Sequence, residues 1–388
     1  MEKLILKSGR DRSVKHRHPW IFSGGVKTLP KSNNGDIIAV CDNDYTLLGY
    51  GFFDPKSQIT CRIFEFTHEN KEFPDTYWKA KIIESLEWKS TLFDLKKTNA
   101  FRLIHAEGDN FPGIIVDIYN KVAVVQILIK GTEKLKDIIG AALEELGYKV
   151  YFRIKQVGIH VEAIDEPSDW YKEKVEMPVQ ILENGIPIWV DVEKGQKTGF
   201  FLDQRVNREL LGELSKAKKV LNTFSYTGGF SLYALKGGAT LVHSVDSSRD
   251  AIQMGDQNVA LSFKDNRHTS FTEDVFDYLK KMEEDYDIII LDPPAFAKNA
   301  RSVENAAKGY KNLNLQALRK IKKGGLIFTF SCSQHIDRDL FRKIVFGAAA
   351  DAARPVSILK QLAQPEDHTI NIFHPESEYL KGLLLRVE

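Results

Sequence analysis

The sequence predicts an α/β protein whose C-terminal half is a parallel sheet covered by helices on both faces. Three observations predict it. The chain has 388 residues, too many for one ordinary core, so two or three domains are expected. Residues 1–68 carry short β-prone runs separated by Gly, Asn, Asp and Pro, which reads as a small β-rich domain. From about residue 176, strands and helices alternate regularly, the pattern of crossover-linked parallel strands.

The elements follow in order. Asp36–Cys41, Thr46–Phe53 and Gln58–Phe66 are the first strands. Pro74 opens a helix that runs over Asp75–Asp94. Arg102–Glu107, Ile114–Tyr119 and Val122–Ile129 read as strands, Thr132–Leu146 as a helix and Val150–Ile154 as a strand. They make residues 69–175 a central α/β (β–α–β) domain, ending in the polar connection Asp165–Lys174. Val179–Leu182 and Ile186–Val192 form a hairpin over Glu183-Asn184-Gly185. The alternating series then runs through strands Lys219–Asn222, Leu241–Val245, His268–Phe271, Tyr286–Leu291 and Gly325–Phe330. Its helices are Gly229–Lys236, Ser248–Ser262, Val275–Met282, Val303–Lys322 and Asp337–Asp351.

Hydrophobic residues make up 43% and charged residues 28%, a globular composition with a formal net charge of +1. Overall charge therefore selects no partner. Local charge is more specific: Lys3, Lys7, Arg10, Arg12, Lys15, Arg17, Lys27 and Lys31 face only Glu2 and Asp11. That basic segment suits a phosphate backbone or a solvated surface equally. Cys41, Cys61 and Cys332 have no metal-ligand spacing, so neither a disulfide scaffold nor a metal site is expected. No apolar run has transmembrane length and the N-terminus lacks a signal-peptide core, so a cytoplasmic location is expected.

Ligands of such sheets sit at the carboxyl ends of the strands, and the motifs collect there. Asn222-Thr-Phe-Ser-Tyr-Thr-Gly-Gly-Phe230 follows the first strand, with Gly228 and Gly229 opening the next helix. The second strand ends at Asp246-Ser247, placed to accept hydrogen bonds from ribose hydroxyls or to cap a helix. The third leads to Glu273-Asp274, where a carboxylate can meet an adenine amino group or, again, cap. The fourth runs into Asp292-Pro-Pro-Ala-Phe296, a fixed turn with an aromatic for stacking. The fifth ends at Ser331-Cys332-Ser333, a cysteine among polar residues at the sheet edge.

Together these ordered motifs resemble a Rossmann-like class I S-adenosylmethionine-dependent methyltransferase, in particular the bacterial family that methylates cytosine C5 in large-subunit ribosomal RNA. The resemblance covers the whole chain. Leu6–Arg10 and His18–Gly24 resemble that family's pseudouridine-synthase-and-archaeosine-transglycosylase (PUA) RNA-binding domain. Ala106–Asp109 and Pro112–Asp117 resemble its central domain, and Gln196–Arg205 the segment that closes over the cofactor's methionine end. The domains implied are a PUA-like domain at 1–68, the central domain at 69–175 and a methyltransferase domain at 176–388.

The resemblance implies S-adenosylmethionine as cofactor, held by Gln204, Arg205, Phe224, Ser225, Tyr226, Thr227, Gly228, Asp246, Ser247, Asp274, Val275 and Asp292. It implies ribosomal RNA as partner, held through Lys7, Arg10, Arg12, Lys15 and Arg17, and a homodimer. Cys332 is then the nucleophile at cytosine C6, and Asp292 orients the base. Two positions depart from the wider pattern. Asn222 stands where many methyltransferases have an acid. Asp292-Pro-Pro stands where better-known RNA cytosine-C5 enzymes carry Pro-Cys, which leaves one cysteine at the site. Methylation of a base nitrogen, which needs no cysteine, is the alternative, and a non-catalytic RNA-binding scaffold is an alternative of another class.

Overall fold

The computed structural model describes residues 1–154, 167–264, 266–283, 285–297 and 300–388. They form two compact units. The first comprises Met1–Asn184, Val190–Phe200 and Glu366–Glu378; the second comprises Gly185–Trp189, Phe201–Pro365 and Tyr379–Glu388. Part of the expected connection Asp165–Lys174 lies outside the described residues. Its described part includes Asp169–Trp170, a short strand paired antiparallel with Lys149–Phe152.

The first unit contains two sheets. The six-stranded sheet has the spatial order Trp20–Phe22, Ile59–Glu65, Leu47–Phe53, Ile37–Cys41, Lys3–Leu6, Val26–Thr28. The opening basic segment thus supplies three strands that its charges concealed. Alternation along Ile37–Cys41 explains how this sheet serves two cores. Ile38 and Val40 face a core with Leu4, Leu6 and Ile63. Ala39 faces the opposite way, into a second core with Tyr50, Phe52 and Phe64. That second core also takes Trp78 and Ile82 of helix Asp75–Ser90 and the apolar face of the five-stranded sheet. The five-stranded sheet runs Asp169–Trp170, Lys149–Phe152, Val122–Ile127, Ile114–Tyr119, Ala100–His105.

A strap from the far end of the chain, Glu366–Glu378, completes this unit. The Asp367 carboxylate accepts from Arg102 N at 2.8 Å. The buried Lys89 ammonium donates to Asp367 O at 2.6 Å, Thr369 Oγ1 at 2.7 Å and the Asp109 carboxylate at 3.0 Å. Gly108 lies directly under the strap: a Cβ there would sit 2.3 Å from Thr369 O, so only glycine fits. Ala106–Asp109, a motif by resemblance, thus has a local physical role in seating the strap.

Glu107 ties the two sheets of the unit together. Its Oε1 accepts from Trp20 Nε1 and from Arg62 Nη1, both at 2.7 Å. Burial works against this carboxylate's charge, but Arg62 and the Trp20 N–H outweigh it and hold its pKa below the ordinary 4.5. A depressed folded-state pKa means stability that is full above about pH 4.5 and lost as pH falls through the folded value. Glu107→Gln is therefore expected to destabilise the chain at pH 7. Urea unfolding of variant and wild type should converge as pH drops below 4.5. A constant difference between them at all pH values would contradict this.

In the second unit, the chain runs α1 (Arg205–Leu214), β1 (Lys219–Thr223), α2 (Gly229–Lys236), β2 (Leu241–Asp246), α3 (Arg249–Ser262) and β3 (His268–Thr272). It continues α4 (Val275–Lys281), β4 (Ile288–Leu291), α5 (Val303–Lys320), β5 (Leu326–Ser331), α6 (Arg338–Ala352), β6 (Val356–Leu362) and β7 (Lys381–Val387). The sheet order is β3-β2-β1-β4-β5-β7-β6. β1 to β5 are parallel, as the alternation predicts. β7 runs antiparallel between β5 and β6, so the sheet is mixed at one edge. The alternation rule does not reach β6 and β7, because no crossover helix joins them. Ile288–Leu291, Leu221 and Val245 are fully buried and form the floor on which the site stands.

Candidate cofactor and catalytic site

The turn after β1 is strained. Phe224 and Tyr226 have φ of 53° and 48°, the left-handed region that bulky side chains rarely adopt. Each such residue costs on the order of 1–3 kcal/mol and persists only where neighbours impose it. Here Ser225 N donates to Val245 O at 3.0 Å, and Tyr226 N donates to Asp246 Oδ2 at 2.9 Å. Gly228 caps α2 at φ 82°, which is why glycine stands there. Its missing side chain would lie in ordinary contact with Gly255 of α3, 3.5 Å away.

Asp246 is the hub of this corner. Oδ2 accepts from Tyr226 N and Oδ1 from Ser248 N, both at 2.9 Å. Each oxygen keeps a second lone pair, and the residue is half-exposed at the strand end. Ser247 beside it is exposed. Asp274 caps α4, its Oδ1 accepting from Phe276 N at 2.8 Å and Asp277 N at 3.1 Å. The Val275 side chain is buried in the core, so its backbone is what remains to meet a ligand.

Buried polar atoms gather around the turn. Asn222 Oδ1, Ser225 Oγ, Thr227 Oγ1, Gln204 Nε2 and Thr329 Oγ1 have no hydrogen-bond partner among the described residues. Buried groups of this kind are rare and costly, and several on one sheet edge signal a polar ligand. A nucleoside with ribose hydroxyls and an amino-acid tail has the donors and acceptors to satisfy them, so the residues fit S-adenosylmethionine. Asn222 is not merely a substitute for an acid: its Nδ2 donates to Ser231 Oγ at 2.9 Å, which bridges to Ser244 Oγ at 2.7 Å.

Gln204 and the buried Arg205 stand where a 3-10 turn, Leu202–Gln204, runs into α1. Gln204 Oε1 accepts from Asn207 Nδ2 at 2.6 Å. The Phe201 ring meets Tyr226 edge-on with centroids 5.1 Å apart, so this segment lies beside the strained turn.

The second half of the site joins the turns after β4 and β5. Cys332 is half-buried, and its Sγ points to Pro293 O at 3.9 Å. Asp292, also half-buried, precedes that proline. Ser333 is the bracket between the turns: its Oγ accepts from Ala297 N at 3.2 Å and bonds Tyr310 Oη at 2.9 Å. Burial first, and the neighbouring Cys332 next, push the Tyr310 pKa up and keep it a neutral hydroxyl. Lys381 of β7, only 4% exposed, donates to Ser333 O at 2.8 Å. Sequence reading singled out none of Tyr310, Lys381 and Tyr379, and treated Ser333 only as a polar flank of Cys332. Tyr310 sits on the apolar stripe of α5 and reads as core. Lys381 opens a strand that the alternation pattern missed, and Tyr379 lies just before it.

At the other end of the chain, Lys7, Arg10, Arg12, Lys15 and Arg17 are all exposed. Lys15 is engaged by Asp11 at 2.5 Å and Asp42 at 3.1 Å. Arg17 lies over the Phe66 and Phe373 rings, at 5.3 and 5.9 Å.

A sheet of this order, with only β7 reversed, a strained turn after β1 and an acid closing β2, defines a class I methyltransferase. Residues 102–368 match the model of the S-adenosylmethionine-dependent methyltransferase family, and residues 4–66 match that of the PUA-like domain. The chain belongs to this S-adenosylmethionine-dependent methyltransferase family. It is 40% identical to the ribosomal RNA large subunit methyltransferase I of Alteromonas mediterranea, over 99% of this chain and 98% of that one. It is also 40% identical to the protein of that name from Shewanella denitrificans, over 99% of both. Among solved structures, SMU.776, described as a methyltransferase and complexed with SAH, superposes with a TM-score of 0.87 at 27% identity over 100% of both chains. None of the helices among the described residues is long and apolar enough to cross a membrane.

Proposed function

We propose that this enzyme methylates C5 of a cytosine in large-subunit ribosomal RNA through a covalent Cys332 adduct. The observation that carries the reading is the bracketed pair of turns, with the Cys332 thiol against the Asp292-Pro-Pro backbone. The relatives' names support ribosomal RNA as substrate. When bound, S-adenosylmethionine supplies an electrophilic methyl group. Gln204, Arg205, Phe224–Gly228, Asp246, Ser247, Asp274 and Val275 would hold it, with Asp292 at its reacting end.

Cytosine C5 is a poor nucleophile. The Cys332 thiolate adds to C6, which turns C5 into an enamine carbon able to attack the methyl donor. Asp292 meets the N3 and amino edge of the base and offsets the charge that addition places there. After C5 is alkylated, a base takes its proton, the C5–C6 double bond re-forms and the thiolate leaves. The base must be unpaired or flipped to be reached. In this reading residues 1–68 hold RNA through Lys7, Arg10, Arg12 and Arg17, with Lys15 contributing less because two carboxylates already engage it. Residues 69–175 form the central domain and 176–388 the methyltransferase domain of a cytoplasmic enzyme.

The test is incubation with ribosomal RNA containing 5-fluorocytidine. Fluorine at C5 cannot leave as a proton does, so the adduct persists and should migrate as a protein–RNA species. Methyl transfer to a base nitrogen with no trapped species would overturn the reading in favour of the non-covalent alternative. Absence of any transfer would favour a scaffold. Cofactor binding has its own check: Asp246→Ala is expected to weaken S-adenosylmethionine binding about 10- to 100-fold by calorimetry, roughly 1.4–2.8 kcal/mol. An unchanged Kd would remove Asp246 from the site.

A further inference from the structure

We propose that Lys381 is a positioning residue for Cys332, whose ammonium fixes the cysteine turn and favours the thiolate. The proposal rests on the reading of Cys332 as nucleophile. Lys381 lies opposite Ser331 in the antiparallel register of β7 and β5. Its neighbours Leu380, Gly382 and Leu383 are buried, and so is the lysine itself. An apolar residue would suit this strand and avoid the cost of a buried charge. The ammonium instead reaches Ser333 O at 2.8 Å and Tyr379 O at 2.7 Å. Ser333 N donates to Ser331 Oγ at 3.3 Å, so the backbone on both sides of Cys332 is tied down.

The titratable groups on the elements packed round this turn come from five places. Asp292 follows β4, Tyr310 lies on α5, His335 and Asp337 are in the cysteine's own loop, Arg338, Asp339 and Arg342 open α6 and line a cavity with Lys381, and Tyr379 precedes Lys381 of β7. Tyr379 Oη donates to Asp203 at 2.7 Å, which directs that carboxylate to the tyrosine. Tyr310 is neutral. Lys381 Nζ, 2.8 Å from the carbonyl of the residue after Cys332, is the ammonium bonded to the cysteine turn itself, and a cation near a thiol lowers its pKa.

The experiment measures alkylation of Cys332 by iodoacetamide against pH, in the full-length protein without RNA. The Cys332 peptide is followed by mass spectrometry; Cys41 and Cys61 are buried. Lys381→Met is expected to raise the apparent thiol pKa by about one unit, which slows alkylation near neutral pH about ten-fold. Lys381→Arg should stay near wild type. Ser333→Ala, which loosens the bracket but keeps the charge, should leave the pKa in place. Should Lys381→Met not fold, Lys381→Gln keeps a donor for the Ser333 carbonyl and carries the same expectation. A wild-type pH profile in the folded neutral variant overturns the proposal. The readout is the thiol and not methyl transfer, so that result would leave the Cys332 mechanism standing. Conversely, full methyl transfer by Cys332→Ala would remove the mechanism whatever the profile.

Discussion

Cys332→Ala is expected to lose methyl transfer by at least about a thousand-fold while binding S-adenosylmethionine with an unchanged Kd. The size follows from the chemistry: without addition at C6 there is no enamine, and C5 remains a poor nucleophile however well it is oriented; a thousand-fold loss is about 4 kcal/mol of barrier. The split between chemistry and binding follows from geometry. The strained turn, Asp246 and the unsatisfied polar atoms of Asn222, Ser225 and Thr227 belong to the other half of the site. Single-turnover transfer of a labelled methyl group, with calorimetric binding on the same sample, checks both parts. Transfer at the wild-type rate would rule out the covalent route. Loss of binding along with transfer would indicate that the substitution had disturbed the sheet edge.

The second large effect lies in the first unit and concerns stability. Asp117 is completely buried, and its two oxygens take Arg102 Nε at 2.8 Å and Arg102 Nη2 at 2.9 Å. Thr198 Oγ1 donates to the same carboxylate at 2.6 Å. Asp117→Ala strands the guanidinium in the interior and is expected to destabilise the chain by about 3–5 kcal/mol. Substituting both partners, Asp117→Leu with Arg102→Met, should recover much of that loss, because no unpaired charge then remains. Urea unfolding of the two variants and the wild type decides it. A double variant as unstable as Asp117→Ala would mean that the pair's value is its shape and not its charge balance.

How far the sequence could be read depended on distance along the chain. β1 to β5 each sit next to a helix in sequence, so local periodicity carries them, and the motifs at their ends follow from parallel geometry. The placing of Asp246, Asp292 and Cys332 at the carboxyl ends of neighbouring strands was legible because a parallel sheet puts successive strand ends side by side. The capping role of Asp274 was legible too, as one of two readings. What was not legible is what other parts of the chain add. β7 is an antiparallel return with no crossover before it, so nothing near Lys381 in sequence marks it, and Tyr310 falls within a helical stretch that gives no sign of the site. Arg102 and Asp117 sit on neighbouring strands, but their charges give no local sign of burial. Lys89 meets residues 278 and 280 positions away, a pairing no window can detect. Strain at Phe224 and Tyr226 is equally silent, since neither residue type favours a positive φ.

The strap Glu366–Glu378 has a consequence for synthesis. A ribosome releases the chain from its N-terminus, and the first unit would ordinarily finish folding long before translation ends. Here Lys89 waits for Asp367 and Thr369, and Gly108 for the carbonyl that passes over it. Until residues 366–378 emerge, the nascent first unit holds a lysine that has Asp109 but lacks its two strap acceptors, and Gly108 is left uncovered. β7, which closes the second sheet, is made later still. Both units therefore reach their final state only after residues 366–387 are made, and a chain cut short before residue 366 should leave each of them incomplete and exposed to proteolysis.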